Sequence, residues 1–260
     1  MEVQLVCENR KFTFSGEPDD KYFKVWRNLG FYGGERDVVP YRLSLKPDST
    51  VVDVGGNIGL TAVLTGALAP NGRGYFFEPD PKNYRHLKRT IEANKFSHLT
   101  AFPFAMGAED GELLLNMASA SSHADNVNSP NAVRVRMRSL DSWAAEHHLE
   151  KLDFLKIDVE GYELNVLRGA VETIKRHRPV ALIEFNSLTT IMVGRILPYE
   201  LLDCVMALFP IVHVVDLYTG LPRRLGRREA EKHAFVGENM TQGFVHDLLC
   251  CFEEGQINAA

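Results

Sequence analysis

The sequence has little cysteine, no long apolar run and no excess of positive charge. Its 260 residues include four cysteines, Cys7, Cys204, Cys250 and Cys251, and no two are spaced as a metal knuckle or redox pair. So few thiols in so long a chain exclude a disulfide-stapled mini-protein and favour reduced cysteines in a cytosol, although an even count leaves a disulfide framework open by arithmetic. The most apolar run, residues 205–218, is broken by Pro210, His213 and Asp216. It falls short of the ~20 apolar residues that cross a bilayer, so no membrane span is expected. Residues 1–11 carry Glu2, Glu8 and Arg10 in place of the apolar stretch of a secretory leader, which predicts a cytoplasmic protein. The 29 Lys and Arg stand against 34 Asp and Glu, a net charge of −5 that gives no reason to expect nucleic acid as a partner. With 45% hydrophobic and 24% charged residues, the chain is also neither disordered nor collagen-like.

What is present is an alternation of short apolar runs with amphipathic segments. Residues 50–54 (TVVDV) read as a buried strand, and 60–69 (LTAVLTGALA) as a helix stopped by Pro70-Asn71-Gly72. A second strand at 74–77, a polar helix at 81–95 opened by proline and a third strand at 99–105 follow. Residues 152–159 predict a fourth strand. The next segment, 162–177, sets Leu164, Leu167, Val171 and Ile174 at steps of three and four, one face of a helix. Strands at 180–185, 211–217 and 247–252, with a helix at 199–209, complete the pattern. Strands alternating with helices need crossovers, and crossovers give a mainly parallel α/β sheet covered on both faces. The rhythm breaks at 112–117 and 133–137, two strands with no helix between them, which flank a small, polar loop insertion at about 118–131. The first 45 residues hold Tyr22, Phe23, Trp26, Phe31 and Tyr32 and predict an extension packed on one core domain of residues 46–260.

Three motifs fall at predicted strand ends. Asp53-Val54-Gly55-Gly56-Asn57-Ile58-Gly59 joins the first strand to its helix. Glycines there let a ligand approach the backbone, and the helix start offers free N–H groups. The dinucleotide fingerprint Gly-x-Gly-x-x-Gly is missing, and a carboxylate inside the strand end would repel a pyrophosphate while suiting a cationic ligand. Phe76-Phe77-Glu78-Pro79-Asp80 closes the second strand with an acid 25 residues after Asp53, the place where a ribose diol is gripped. Asp80, just before Pro81, reads instead as a helix cap. In the third motif, Lys156-Ile157-Asp158-Val159-Glu160-Gly161, Asp158 and Glu160 alternate with apolar residues, which predicts both on one face of the strand end. Glu184-Phe185-Asn186 ends the fifth strand in the same way. Ligands of open α/β sheets bind beyond such carboxyl ends.

The runs VVDVGGNIG, FFEPDP, AFPFAMGAEDGEL, RSLDSW, DFLKIDVEGYELNVLRGA and ALIEFN, spanning residues 51–186, together resemble the FkbM-type methyltransferases in order, spacing and context. KIDVEG followed by E-x-x-V-L-x-G-A is the most specific piece; Gly56 departs from the alanine usual there. The resemblance implies an S-adenosylmethionine-dependent O-methyltransferase with a Rossmann-like, class I methyltransferase fold. Its sheet would have seven strands, mostly parallel, with helices on both faces and an antiparallel strand in its last pair. By the same carry-over, Asp53, Gly55, Gly56, Asn57 and Gly59 surround the methionine end of the cofactor and Glu78 holds its ribose. Ala105 and Met106 lie by the adenine, and Asp158 borders the sulfonium. The acceptor would be a hydroxyl of a small molecule, sugar or other natural product.

A hydroxyl is a poor nucleophile, so a general base is expected from Glu160, Asp158, Glu184 or His123, the last in the polar loop. His86, His147, His148, His177 and His213 read as helix-surface or core residues. Asp158, Glu160 and Glu184 also suit a divalent metal such as Mg²⁺, although carboxylates in crevices more often serve charge or hydrogen bonding. Two other readings use the same sheet. A nicotinamide-dependent oxidoreductase is disfavoured by Asp53 and the missing fingerprint, and a non-catalytic cofactor-binding protein would bind without turnover.

Overall fold

The computed structural model describes residues 1–29, 35–116, 123–124, 132–243 and 245–257, with the backbone alone described at 21, 22, 26, 29, 35, 36 and 123. Eight strands form its central sheet: β1 (Thr50–Val54), β2 (Arg73–Phe77), β3 (Leu99–Phe102), β4 (Phe154–Ile157), β5 (Val180–Asn186), β6 (Ile211–Val215), β7 (Pro222–Arg224) and β8 (Val245–Cys251). Their order is β7-β6-β8-β5-β4-β1-β2-β3. The first five pair in parallel, and β8 runs antiparallel between β5 and β6. Seven of these strands are the expected ones; the eighth, β7, is a three-residue addition at the edge.

Because side chains alternate along a strand, the two faces bury two separate cores. Val52, Val54, Leu155 and Ile157 face Trp143, Leu164 and Leu201 on one side. On the other, Val51, Phe154, Leu182 and Leu249 face Val63, Leu64, Phe14 and Phe23. Phe14 and Phe23 belong to the chain's first part, which forms a hairpin (Glu2–Cys7 with Arg10–Ser15) and two helices (Lys21–Leu29 and Glu35–Ser44). Glu8 and Asn9 make its turn at positive φ, as two-residue hairpin loops favour. Buried His86 ties this hairpin to the helix Pro81–Ala93, with Nδ1 2.9 Å from Ser15 Oγ and Nε2 2.9 Å from Glu17 Oε1. The sequence offered no such partner for His86. Of the predicted aromatic cluster, Phe31 and Tyr32 and the side chains of Tyr22 and Trp26 lie outside the described residues.

The helix expected over 162–177 is two, Glu163–Arg168 and Val171–His177. At the break a Cβ on Gly169 would stand 2.0 Å from the Gly107 carbonyl oxygen. The Asp141 carboxylate restarts the helix by accepting from Glu172 and Thr173 N–H. The two strands expected without a helix between them are Gly111–Asn116 and Ala132–Arg138, and they pair antiparallel. The intervening insertion lies outside the described residues except for His123–Ala124, a short strand against Leu115 and Asn116. Among the described residues no helix is long and apolar enough to cross a membrane.

Candidate active site

Backbone geometry sets the first wall of the site. Gly55 (φ 98°), Asn57 (φ 46°) and Gly59 (φ 97°) all sit in the left-handed region. Gly55 and Gly56 N–H both donate to the Phe77 carbonyl at 3.0 Å, so the loop folds over the end of β2. A Cβ on Gly55 would lie 1.8 Å from the Asp158 carbonyl oxygen, and one on Gly56 3.0 Å from Leu87. The second contact is with the end of a flexible side chain, which has only to give by a few tenths of an ångström. Gly55→Ala is expected to cost more than about 2 kcal/mol, a fall in melting temperature of roughly 4–8 °C for a chain of this size. An unchanged melting temperature would show that the turn tolerates a side chain.

Beneath the loop lies Asp53, fully buried. Lys156 Nζ stands 3.8 Å from its Oδ1, too far for a hydrogen bond. Burial raises its pKa to about 6, with Lys156 pulling the other way. Lys156 is opposite Asp53 in the β1–β4 register, and its Nζ donates to Asp158 Oδ2 at 2.8 Å. The ammonium therefore bridges a hidden carboxylate and an open one.

Beside them is a cavity of about 440 Å³, within the ~300–1,000 Å³ range of ligand pockets. Of the residues singled out in the sequence, Gly55, Gly56, Asn57, Glu78, Ala105, Met106, Asp158, Glu160 and Glu184 line it. Asp53 and Gly59 do not. Asp53 sits behind the wall, and Gly59 begins the helix Leu60–Leu68, donating its N–H to the Gly56 carbonyl. The His123 side chain lies outside the described residues.

Glu78 is held from two sides. Its Oε2 accepts from Asn57 N–H at 2.7 Å and its Oε1 from Asp80 N–H at 2.8 Å. Burial outweighs these donors and pushes its carboxyl up to about 8. Asp80 caps the helix Pro81–Ala93 by accepting from Lys82 N–H, so the two neighbouring acids have separate tasks.

The third motif is not an extended strand end. β4 stops at Ile157, and Glu160 turns left-handed (φ 56°) before Gly161 (φ 100°). Alternation is thus the wrong reason for grouping Asp158 with Glu160; a tight turn brings both to the cavity. Buried Glu163 holds that turn, its Oε1 accepting from Val159 and Gly161 N–H at 3.1 and 3.0 Å. Residues the motifs did not single out complete the lining, above all Lys156, Tyr41 and Asp247. For Lys156 a signal existed: a lysine inside the otherwise apolar strand FLKI. Among the described residues, Asp37, Glu78, Asp158, Glu160, Glu184 and Asp247 set six acids against one lysine around the space. Among the described residues, no three His, Cys, Asp or Glu side chains stand close enough to hold a metal ion.

A family model described as the methyltransferase FkbM domain matches residues 53–202. The chain belongs to the FkbM methyltransferase family. Over 152 residues this FkbM methyltransferase is 25% identical to the 2-O-methyltransferase NoeI of Sinorhizobium fredii, covering 51% of this chain and 62% of the relative. Over 156 residues it is 26% identical to the hexuronic acid methyltransferase AglP of Haloferax volcanii, covering 58% of this chain and 62% of the relative. The match thus spans less than two thirds of either relative's length. The fold is that of class I methyltransferases. It is shared, at a TM-score of 0.51 and 13% identity, with the fibrillarin pre-rRNA processing protein of Methanococcus jannaschii, covering 97% of this FkbM methyltransferase and 83% of that chain.

Proposed function

We propose that this protein transfers the methyl group of S-adenosylmethionine to a hydroxyl of a small-molecule or carbohydrate acceptor. The observation that carries the proposal is the Glu78 carboxylate, fixed by two backbone N–H donors at the end of β2 and facing the cavity beside a glycine loop. An acid at that point of a doubly wound sheet grips a ribose diol. The other residues suit the same cofactor. Gly55, Gly56 and Asn57 offer close-approach backbone to its methionine end, Ala105 and Met106 offer apolar surface to its adenine, and the acidic lining suits its positive charge. When bound, S-adenosylmethionine supplies an electrophilic methyl on a cationic sulfur.

The chain's own residues do the rest. Lys156 orients Asp158 at the border of the cofactor end, and Glu160 accepts the proton of the acceptor hydroxyl. Alignment of the acceptor can supply as much as ~7–11 kcal/mol of barrier reduction, and the base a further factor of roughly 10²–10⁴. The printed names of the two relatives, one acting as a 2-O-methyltransferase and one on a hexuronic acid, support oxygen methylation and a sugar-like acceptor. Four unpaired cysteines support the cytoplasm as its compartment. Labelled methyl transfer from S-adenosylmethionine into a cell extract, with identification of the labelled product, tests the proposal; absence of any labelled product overturns it.

Glu78 gives a sharper check. Its carboxyl sits near 8 in the free site, and a ribose diol or a nearby cation favours the ionised form. Ligand binding must then release a proton below that pH, so affinity rises as pH goes from 6 to 8, by roughly tenfold per unit at most. Calorimetry with S-adenosylhomocysteine should show this rise. Glu78→Ala should remove it and weaken binding by more than about tenfold. A flat pH profile with wild-type affinity in Glu78→Ala would take the ribose away from this residue.

A further inference from the structure

The short helix Ser187–Met192 that follows β5 is turned inside out. Ser187 and Thr190 are buried, whereas Leu188, Ile191 and Met192, at steps of three and four, are 48%, 40% and 69% exposed. A helix packed for folding alone turns its apolar stripe to the core and its polar residues to water. Two asparagines fix the reverse orientation here. Asn186 Oδ1 accepts from Leu188 and Thr189 N–H at 3.1 and 3.2 Å, and Asn239 Oδ1 accepts from the Ser187 N–H and hydroxyl. Leu197, 63% exposed, carries the apolar surface on to the start of the next helix, Pro198–Leu208. Single exposed apolar side chains need no explanation, but a stripe of them on a pinned helix does.

This helix is part of the cavity's rim. Its cap, Asn186, lines the cavity together with Asp158 and Glu160. Next to Glu160, a Cβ on Gly161 would stand 2.5 Å from the Thr189 carbonyl oxygen and 3.1 Å from Val193 Cβ, so the helix lies directly against the turn that carries Glu160. Leu188, Ile191, Met192 and Leu197 themselves lie outside the lining. The glycine loop and Glu78 follow β1 and β2, and β5 stands on the other side of β4 from them. The stripe therefore borders the acceptor's end of the space, where a molecule held at Glu160 and longer than the cavity emerges.

Size and charge select what covers it. Four partly exposed side chains offer on the order of a few hundred Å², well short of the roughly 800 Å² per partner of a stable protein interface. A second copy of the chain would not hold there. Residues 187–202 carry two charges, Arg195 and Glu200, where a membrane-docking segment gathers roughly four to eight Lys or Arg. A hydrocarbon chain needs neither area nor charge. Each methylene it buries is worth roughly a fourfold gain in affinity, so two of them already exceed tenfold.

We propose that this stripe seats an apolar chain of the acceptor, resting on the methyl-transfer reading above. The acceptor is then an amphiphile. Its hydroxyl-bearing, sugar-like head enters the cavity to Glu160, and its alkyl or prenyl tail lies over Leu188, Ile191, Met192 and Leu197.

Octyl glucoside, kept below the concentration at which it forms micelles, and methyl glucoside test this when titrated into the full chain with and without saturating S-adenosylhomocysteine. Octyl glucoside should bind one per chain and at least tenfold more tightly than methyl glucoside. Leu188→Ser combined with Met192→Ser should bring the two to the same affinity, with the melting temperature unchanged and S-adenosylhomocysteine bound within about twofold. Met192→Ser alone should remove at least a threefold share of the preference. In the cell-extract assay the labelled product should pass into butanol, and the double variant should lower that label at least tenfold. Equal affinities in the wild type, a preference that survives the double variant, or a labelled product that stays in water overturns the proposal. Self-association in sedimentation, or binding to anionic lipid vesicles, that the double variant abolishes also overturns it, because a second copy or a membrane then covers the stripe. Absence of label from both phases counts against methyl transfer instead, and the pair of glucosides still decides whether the stripe takes a tail.

Discussion

Lys156→Met is expected to cost about 3–5 kcal/mol of stability at pH 8, read as a fall in denaturant midpoint at an unchanged slope. The lysine is only 14% exposed, and the carboxylate behind it is wholly buried. Removing the ammonium strands that carboxylate in the interior, where an uncompensated charge is far more costly than a lost surface pair. Asp53 can escape by taking a proton, and its pKa of about 6 would climb once the nearest cation is gone. The sign of the pH dependence follows. A neutral Asp53 limits the damage at pH 6, while keeping it neutral against pH 8 adds to the cost, so the deficit should widen as pH rises. Asp53→Asn combined with Lys156→Met should recover most of the loss, because the pair then disappears together. A loss under about 1 kcal/mol at pH 8, or a double variant no better than the single, would mean that the two charges do not depend on each other.

Glu160→Gln should lower turnover by roughly 10²–10⁴ while S-adenosylhomocysteine binds as before. Two other acids at the same end, Asp158 and Glu184, are each constrained. Asp158 Oδ2 already accepts from Lys156, and burial, with its acidic neighbours, raises the Glu184 carboxyl well above the usual carboxylate range. Glu160 also occupies left-handed backbone at φ 56°, where a glutamate costs ~1–2 kcal/mol relative to ordinary conformations and asparagine is better tolerated. Glu160→Asn should therefore be at least as stable as the wild type and still inactive. That combination distinguishes a residue kept for chemistry from one kept for folding. Wild-type turnover in Glu160→Gln would move the base elsewhere.

The central sheet was legible because its strands are apolar throughout and its helices are amphipathic. Residues 50–54 match β1, and the helix expected from residue 60 is there. The helix Glu229–Thr241 left no such mark, since Gly237 interrupts it and its buried residues include Lys232 and Asn239. The first hairpin escaped notice because Glu8-Asn9 is a less usual turn pair than Asn-Gly. In the site, the glycine loop and Glu78 stood out as a glycine-rich turn and an acid at fixed distance along the chain. Lys156 and Asp247 matter through partners on neighbouring strands, and strand register is a property of the fold that spacing in one chain does not display. Asp53 illustrates the converse. Sequence marks it as part of the site, but its position inside β1 hides it behind the wall that the loop presents.

The short strand β7 takes no part in the cavity. A sheet that ended at β6 would offer the bare backbone of IVHVV, a β-branched run of the kind that recruits strands from other molecules. β7 covers that backbone with three residues, of which proline lacks an N–H and the two arginines are tied to Glu238 and Glu254. The outermost rim is thereby too short, too charged and too poor in donors to template another copy.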